Sequence, residues 1–148
     1  MKAPVGVVGI AAGLAIGVIV VACAQQVDQG EWQRRVDKRN VITALWTQIR
    51  DWRREAHMGV EPAPQLIFQM RGQAVSAVAR TCPDGHQVPT TCSDVCGLAD
   101  AICDNAEAIC SIATELGNDD FAVEKCNSAK ASCREAKQRC CNCSGGAP

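Results

Sequence analysis

The chain contains no tyrosine, and only three tryptophans and two phenylalanines among its 148 residues. Aromatic rings supply the largest buried area per side chain, so a core here must be assembled from small and aliphatic residues set close together. Histidine is almost as scarce. His57 and His86 stand apart and have no ligand-spaced partners, which leaves little imidazole for metal sites or for acid–base work near neutral pH. No segment alternates polar and apolar residues as a half-buried strand does, and neither a Gly-rich phosphate loop nor a Ser/His/Asp arrangement occurs. The formal net charge of −1 gives no basic field for nucleic acid. These absences point to an all-α, non-catalytic protein.

Cysteine, by contrast, is abundant: there are eleven. Cys96, Cys103 and Cys110 are seven apart, and so are Cys126, Cys133 and Cys140. A seven-residue spacing keeps its members on one seam of a helix, because about 3.5 residues per turn hold that seam toward a partner. Folding the chain back at Asn118 sets Cys96 against Cys140, Cys103 against Cys133 and Cys110 against Cys126, each pair of residue numbers totalling 236. A disulfide needs Cα atoms about 4.4–6.8 Å apart, and the residues between these rungs permit that approach. Ala99, Ala106 and Ala113 follow the first three cysteines by three positions, and Ala122, Ala129 and Ala136 precede the other three by four. Cys82, Cys92, Cys141 and Cys143 remain, and four cysteines allow three pairings. The mirror of Cys92 is position 144, so the nearest thiol is Cys143; this favours Cys92–Cys143 with Cys82–Cys141 and leaves the choice open.

Charge is divided along the same hairpin. From Cys82 to Asp120 there are eight acidic residues and no Lys or Arg. From Phe121 onward there are five basic residues (Lys125, Lys130, Arg134, Lys137, Arg139) and two acidic ones. The two arms are expected to complement each other electrostatically. The third helix, with a second apolar face of Val95, Leu98, Ile102, Ile109 and Ile112, is expected inside the bundle and the more polar fourth helix outside.

The rest of the chain reads as two more helices. Val41, Ile42, Leu45, Trp46, Ile49, Trp52 and Ala56 share one side at 100° per residue, and Gly59 and Pro62 supply a stop. A second helix is expected from Pro64 to about Thr81, burying Leu66, Ile67, Met70, Ala74, Ala77 and Val78. The third opens at Thr91 with Asp94 as an approximate capping box and ends at Gly117-Asn118; the fourth follows Asp119-Asp120 and runs to about Cys141. The organisation expected is a leader over 1–22, a tether over 23–30, a helical pair over 31–81, a cysteine-rich hairpin over 82–143 and a frayed tail over 144–148.

The leader sets the compartment. Lys2 precedes an apolar run from Val5 to Ala22 that closes in Val20-Val21-Ala22-Cys23. This resembles the signal peptide of bacterial lipoproteins: a basic start, an apolar stretch, then a lipobox ending in cysteine. The resemblance implies that Cys23 is lipidated and becomes the new N-terminus, anchoring the protein to the membrane. Ala24, in place of an inner-membrane retention aspartate, implies the outer membrane, facing the periplasm or the cell surface. The competing reading is a retained transmembrane helix, but no basic stop-transfer cluster follows directly. Removing 22 residues leaves 126 and, apart from Cys23, ten cysteines, an even number suited to a closed disulfide framework in an oxidising compartment. The whole resembles uncharacterised cysteine-rich helical lipoproteins of Gram-negative bacteria. Its hairpin is similar in construction to CHCH domains and plant α-hairpinins, whose Cx9C and Cx3C spacings it lacks.

Two other uses of the thiols compete with a structural one. Bacterial copper-storage proteins are four-helix bundles with inward thiols, and thiolates select Cu(I) and Zn(II); here the first helix has no cysteine, so a thiol-based metal store is the alternative reading. Cys141-Asn142-Cys143 could serve thiol–disulfide exchange, but no thioredoxin-like βαβ pattern surrounds it. No cofactor is expected. A candidate interface with an envelope protein or headgroup surface is formed by Trp32, Val36, Arg50 and Arg54, which fall on the polar side of the first helix.

Overall fold

The structure is a computed structural model that describes the backbone of residues 10–83 and 86–144, and the side chains of 29–83 and 86–144. The described residues are helical, without strands: α1 (Ile10–Glu55), α2 (Pro64–Gln69), α3 (Val75–Ala79), a 3-10 turn (Thr90–Cys92), α4 (Ser93–Leu116) and α5 (Asp120–Cys141). Among the described residues no helix is long and apolar enough to cross a membrane. The expected tether at 23–30 is instead part of α1. No proline interrupts that stretch, and one glycine (Gly30) costs a helix only about 1 kcal/mol.

The chain divides into two units, Met1–Asp37 and Lys38–Pro148. In the first, Gln33 Nε2 donates to Asp37 Oδ1 at 2.9 Å and Arg35 pairs with Glu31 at 3.7 Å, both one turn apart along α1. The second unit holds the core. Ile42, Trp46 and Ile49 of α1 meet Ile102, Ile109 and Leu116 of α4, together with Met70, Val78 and the alanines of both hairpin seams. Val41, expected on the apolar side, is 48% exposed. It precedes the Ile42–Trp46–Ile49 row by one residue, a rotation of about 100° on a helix.

The stop of α1 differs from the expected Gly59. Met58 N donates to Arg53 O (2.8 Å) and His57 N to Arg54 O (3.0 Å), while His57 takes φ 53°. These two bonds close a Schellman motif with His57 in the left-handed position that glycine usually fills. The expected second helix is broken into α2 and α3. Gly72, at φ +71°, turns the chain out of the helix after the Met70 cap. The break leaves Ala74 and Ala77 exposed, Leu66 and Ile67 half-buried, and only Met70 and Val78 fully buried. At the start of α4 no side-chain cap bond forms, and the 3-10 turn leads directly into Ser93.

The hairpin has the expected ends. Gly117, at φ 68° and ψ −121°, lies where only glycine is comfortable, and it terminates α4. Asp119 then caps α5, its Oδ1 accepting from Ala122 N at 3.1 Å. The layering, however, is only half that expected: α4 lies inside, with Ile102 and Ile109 fully buried, but α5 is enclosed as well. α5 packs against α4, α2 and α3, and every residue from Asn127 to Cys133 is buried. Its polarity is misleading because the polar side chains are small: Asn127, Ser128 and Ser132 occupy little space, so neighbours close in on several sides. α4 keeps Asp94, Asp100, Asp104 and Glu107 in solvent.

Candidate functional site

Five disulfides hold the second unit: Cys82–Cys141, Cys92–Cys143, Cys96–Cys140, Cys103–Cys133 and Cys110–Cys126. The three central rungs have Cα separations of 4.8, 4.7 and 4.7 Å. With Cα atoms about 2.3 Å from each axis, α4 and α5 lie no more than about 9–10 Å apart at the rungs. All six seam alanines are buried, as that distance requires. The two outer bonds fasten the base, with Cys82–Cys141 tying the segment after α3 to the end of α5.

Charge is used differently from the expected pairing of arm with arm. Among the described residues a single ion pair, Lys137–Asp100, joins α4 and α5. The acidic arm is instead met by α1. Lys38 Nζ lies 2.6 Å from Glu115, and Arg39 places Nε and Nη2 at 2.9 and 2.8 Å from Asp119 Oδ2. Asp119 is buried, so the same carboxylate caps α5 and holds α1 to the hairpin turn. Asn105 adds a neutral link, donating to Gln48 Oε1 at 2.9 Å and to Leu45 O at 3.3 Å.

A second clasp lies at the other end of α1. Arg53 is 1% exposed; its Nη2 donates to Glu135 Oε2 (2.7 Å) and its Nε to Gly59 O (2.7 Å). Glu135 Oε1 also accepts from Ala63 N at 3.2 Å, so one carboxylate joins α1, the 59–63 loop and α5. Arg53 is absent from the residues that the sequence places inside. A signal for it exists: it sits in the row Ile42, Trp46, Ile49, Arg53, Ala56, where an apolar residue belongs, and Glu135 is one of only two acids on the basic arm.

A cleft of about 940 Å³ opens between the α2–α3 break and the α4–α5 turn. Ile67, Val75, Ala113, Val123 and the Cys110–Cys126 disulfide give it apolar walls, and Asn127, Lys130, Arg71, Asp120 and Glu124 its polar groups. Lys130 is 5% exposed, and its Nζ donates to Gln73 O at 3.1 Å. Burial pushes its ammonium below the ordinary lysine value, since desolvation penalises the charged form.

The candidate interface residues fall in different units. Trp32, 64% exposed, and half-buried Val36 belong to the first. Arg50 and Arg54 belong to the second, where Glu61 (2.9 Å from Arg50 Nε) and Asp51 engage them. The side chain of Cys23 and the end of the tail, 145–148, lie outside the described residues. Among the described residues no three His, Cys, Asp or Glu side chains converge as a metal site would require. No family model, no curated protein and no solved structure matches this chain.

Proposed function

We propose that this chain is a lipid-anchored, disulfide-stabilised protein of the bacterial envelope, with a structural or protein-interaction role and no enzymatic activity. The observation that carries the reading is the identity of the odd cysteine. Five disulfides use ten of the eleven, and the one left over is Cys23, at the end of the lipobox-like run. A framework that consumes every other thiol suits an oxidising compartment. It also weakens the metal-store alternative, because thiolates, not disulfide sulfurs, bind copper and zinc. On this reading the lipid holds the protein at the outer membrane, and the stapled unit is presented to an envelope partner.

The test is the Cys23→Ser variant expressed with labelled fatty acid. The expected result is an unprocessed precursor without label, beside a labelled wild type whose mass rises on alkylation only after reduction. Normal maturation of the variant, or alkylation of many thiols in unreduced wild type with bound copper, overturns the proposal.

A further inference from the structure

The cleft beside the hairpin turn contains a buried cation without a matching anion. Lys130 lies on its wall, nine-tenths buried, with one carbonyl as its hydrogen-bond partner and no carboxylate within 4 Å among the described residues. An ammonium has three donors, and a buried charge is costly unless it is paired. The acids in the same cleft are placed elsewhere. Glu124 and Asp120 precede Lys130 by six and ten residues on α5, about 9 and 15 Å along the axis, and Glu124 pairs with Lys125 at 3.1 Å. One wall of the cleft therefore runs from acidic near the turn to basic at Lys130. Ile67, Val75, Ala113, Val123 and the Cys110–Cys126 disulfide supply apolar surface along it.

We infer that this cleft binds a monocarboxylate with a short apolar body, its carboxylate on Lys130 and its uncharged end toward Asp120 and Glu124. The carboxylate supplies the missing counter-charge. The aliphatic body covers the apolar walls, and the acids near the turn reject a second negative charge. Asn127, one turn before Lys130, lines the same wall and can donate its amide to the second carboxylate oxygen. The chemistry is shared by a free aliphatic acid and by the C-terminal carboxylate of a peptide. The inference is independent of the anchor at Cys23.

The experiment follows backbone amides of residues 71–75 and the Asn127 side-chain amide by NMR, using the oxidised full chain in phosphatidylcholine nanodiscs. Hexanoate, hexanol, adipate and acetyl-Ala-Val-Val with a free or an amidated C-terminus are titrated in turn. Saturable shifts with hexanoate are expected, with hexanol at least about tenfold weaker, the loss of one charge-assisted hydrogen bond being worth about that factor, and with adipate weakened by its second charge facing Asp120 and Glu124. Lys130→Met should abolish the hexanoate response, and the contrast of hexanoate with hexanol on the wild type decides the matter without the variant. Tighter binding of the free-acid peptide than of hexanoate, lost on amidation, supports the inference and names a peptide C-terminus as the source. Hexanol matching hexanoate, no saturation with any probe, or unchanged hexanoate binding by a folded Lys130→Met protein overturns it.

Discussion

The α4–α5 hairpin and the part of α1 from Lys38 onward solve the same packing problem with opposite means. The hairpin approaches through alanine, and three covalent rungs hold a contact that has little side-chain area to offer. α1 carries no cysteine in this part, and instead presents Ile42, Trp46 and Ile49 as a conventional apolar row with polar links at its two ends. The difference shows how a chain poor in aromatics distributes its resources. Where backbones come close, small side chains lose area that crosslinks replace; where they stay apart, large side chains fill the gap.

Breaking all the rungs together should have the largest effect, since each contributes on its own. Replacing both Cys103 and Cys133 by serine is expected to cost about 2–5 kcal/mol, the usual range for a native disulfide in a small domain. Chemical denaturation followed by far-UV circular dichroism measures it. Full reduction should unfold α1 together with the hairpin, because the apolar row of α1 then loses its rigid partner. Persistence of α1 helicity and of Trp46 burial after reduction would show that α1 does not depend on the hairpin. During slow reduction, Cys103–Cys133 should be the last to open, its two residues being 7% and 0% exposed.

The buried clasp comes next. Glu135→Ala leaves the Arg53 guanidinium buried without its carboxylate, a loss of about 3–5 kcal/mol when a buried pair is broken on one side. Lys38→Ala removes an ion pair whose side chains are 37% and 55% exposed, and such pairs contribute about 0–1 kcal/mol. A similar small loss for both would mean that the Arg53 site is hydrated rather than dry. Arg53→Met together with Glu135→Leu should recover most of the loss, since apolar replacements of a buried pair are often neutral.

The hairpin was legible in the sequence because disulfide geometry imposes arithmetic: a heptad on each arm and one fold-back residue leave a single register. Interior and exterior were less legible. α5 is polar by composition, yet Asn127, Ser128 and Ser132 are small enough to be enclosed, and Lys130 reaches a carbonyl exposed by the Gly72 break. Hydrophobic periodicity does not register small size, and so it places α5 outside. The break itself rests on one backbone angle at Gly72, in a segment whose apolar residues would suit either one helix or two. Arg53 escapes for the related reason that its neutralising partner is eighty-two residues away in sequence. The cleft that Lys130 lines follows from the enclosed α5 and the Gly72 break together, and periodicity reveals neither.

Overpacking probes the two contacts at a smaller scale. Ala106 lies in the seam and Ala131 on another side of its helix, yet both are fully buried. Ala106→Leu and Ala131→Leu should therefore each cost about 1–3 kcal/mol. Ala44→Leu, on the exposed side of α1, should stay within about 0.5 kcal/mol. Thermal melts under oxidising conditions compare them. Tolerance of the Ala131→Leu change would return α5 to the outside of the bundle.

The smallest effect is a pH dependence confined to the hairpin. Burial lowers the folded-state pKa of Lys130 below the ordinary 10.5, so the unfolded chain holds that proton more firmly than the folded one does. Below the folded value both states are protonated, and the folded protein bears the whole cost of a buried ammonium. As pH rises through the folded value toward 10.5, the folded state sheds the proton first and gains stability relative to the unfolded state. Lys130→Met has no such proton to lose. The melting temperature of the wild type should therefore climb relative to that of Lys130→Met as pH rises toward 10.5. Since the comparison is between two proteins with the same disulfides, alkaline damage to the rungs affects both equally and drops out of the difference. A flat difference would mean that the Lys130 ammonium is solvated, and a fall with pH would mean that it has an anionic partner in the folded chain.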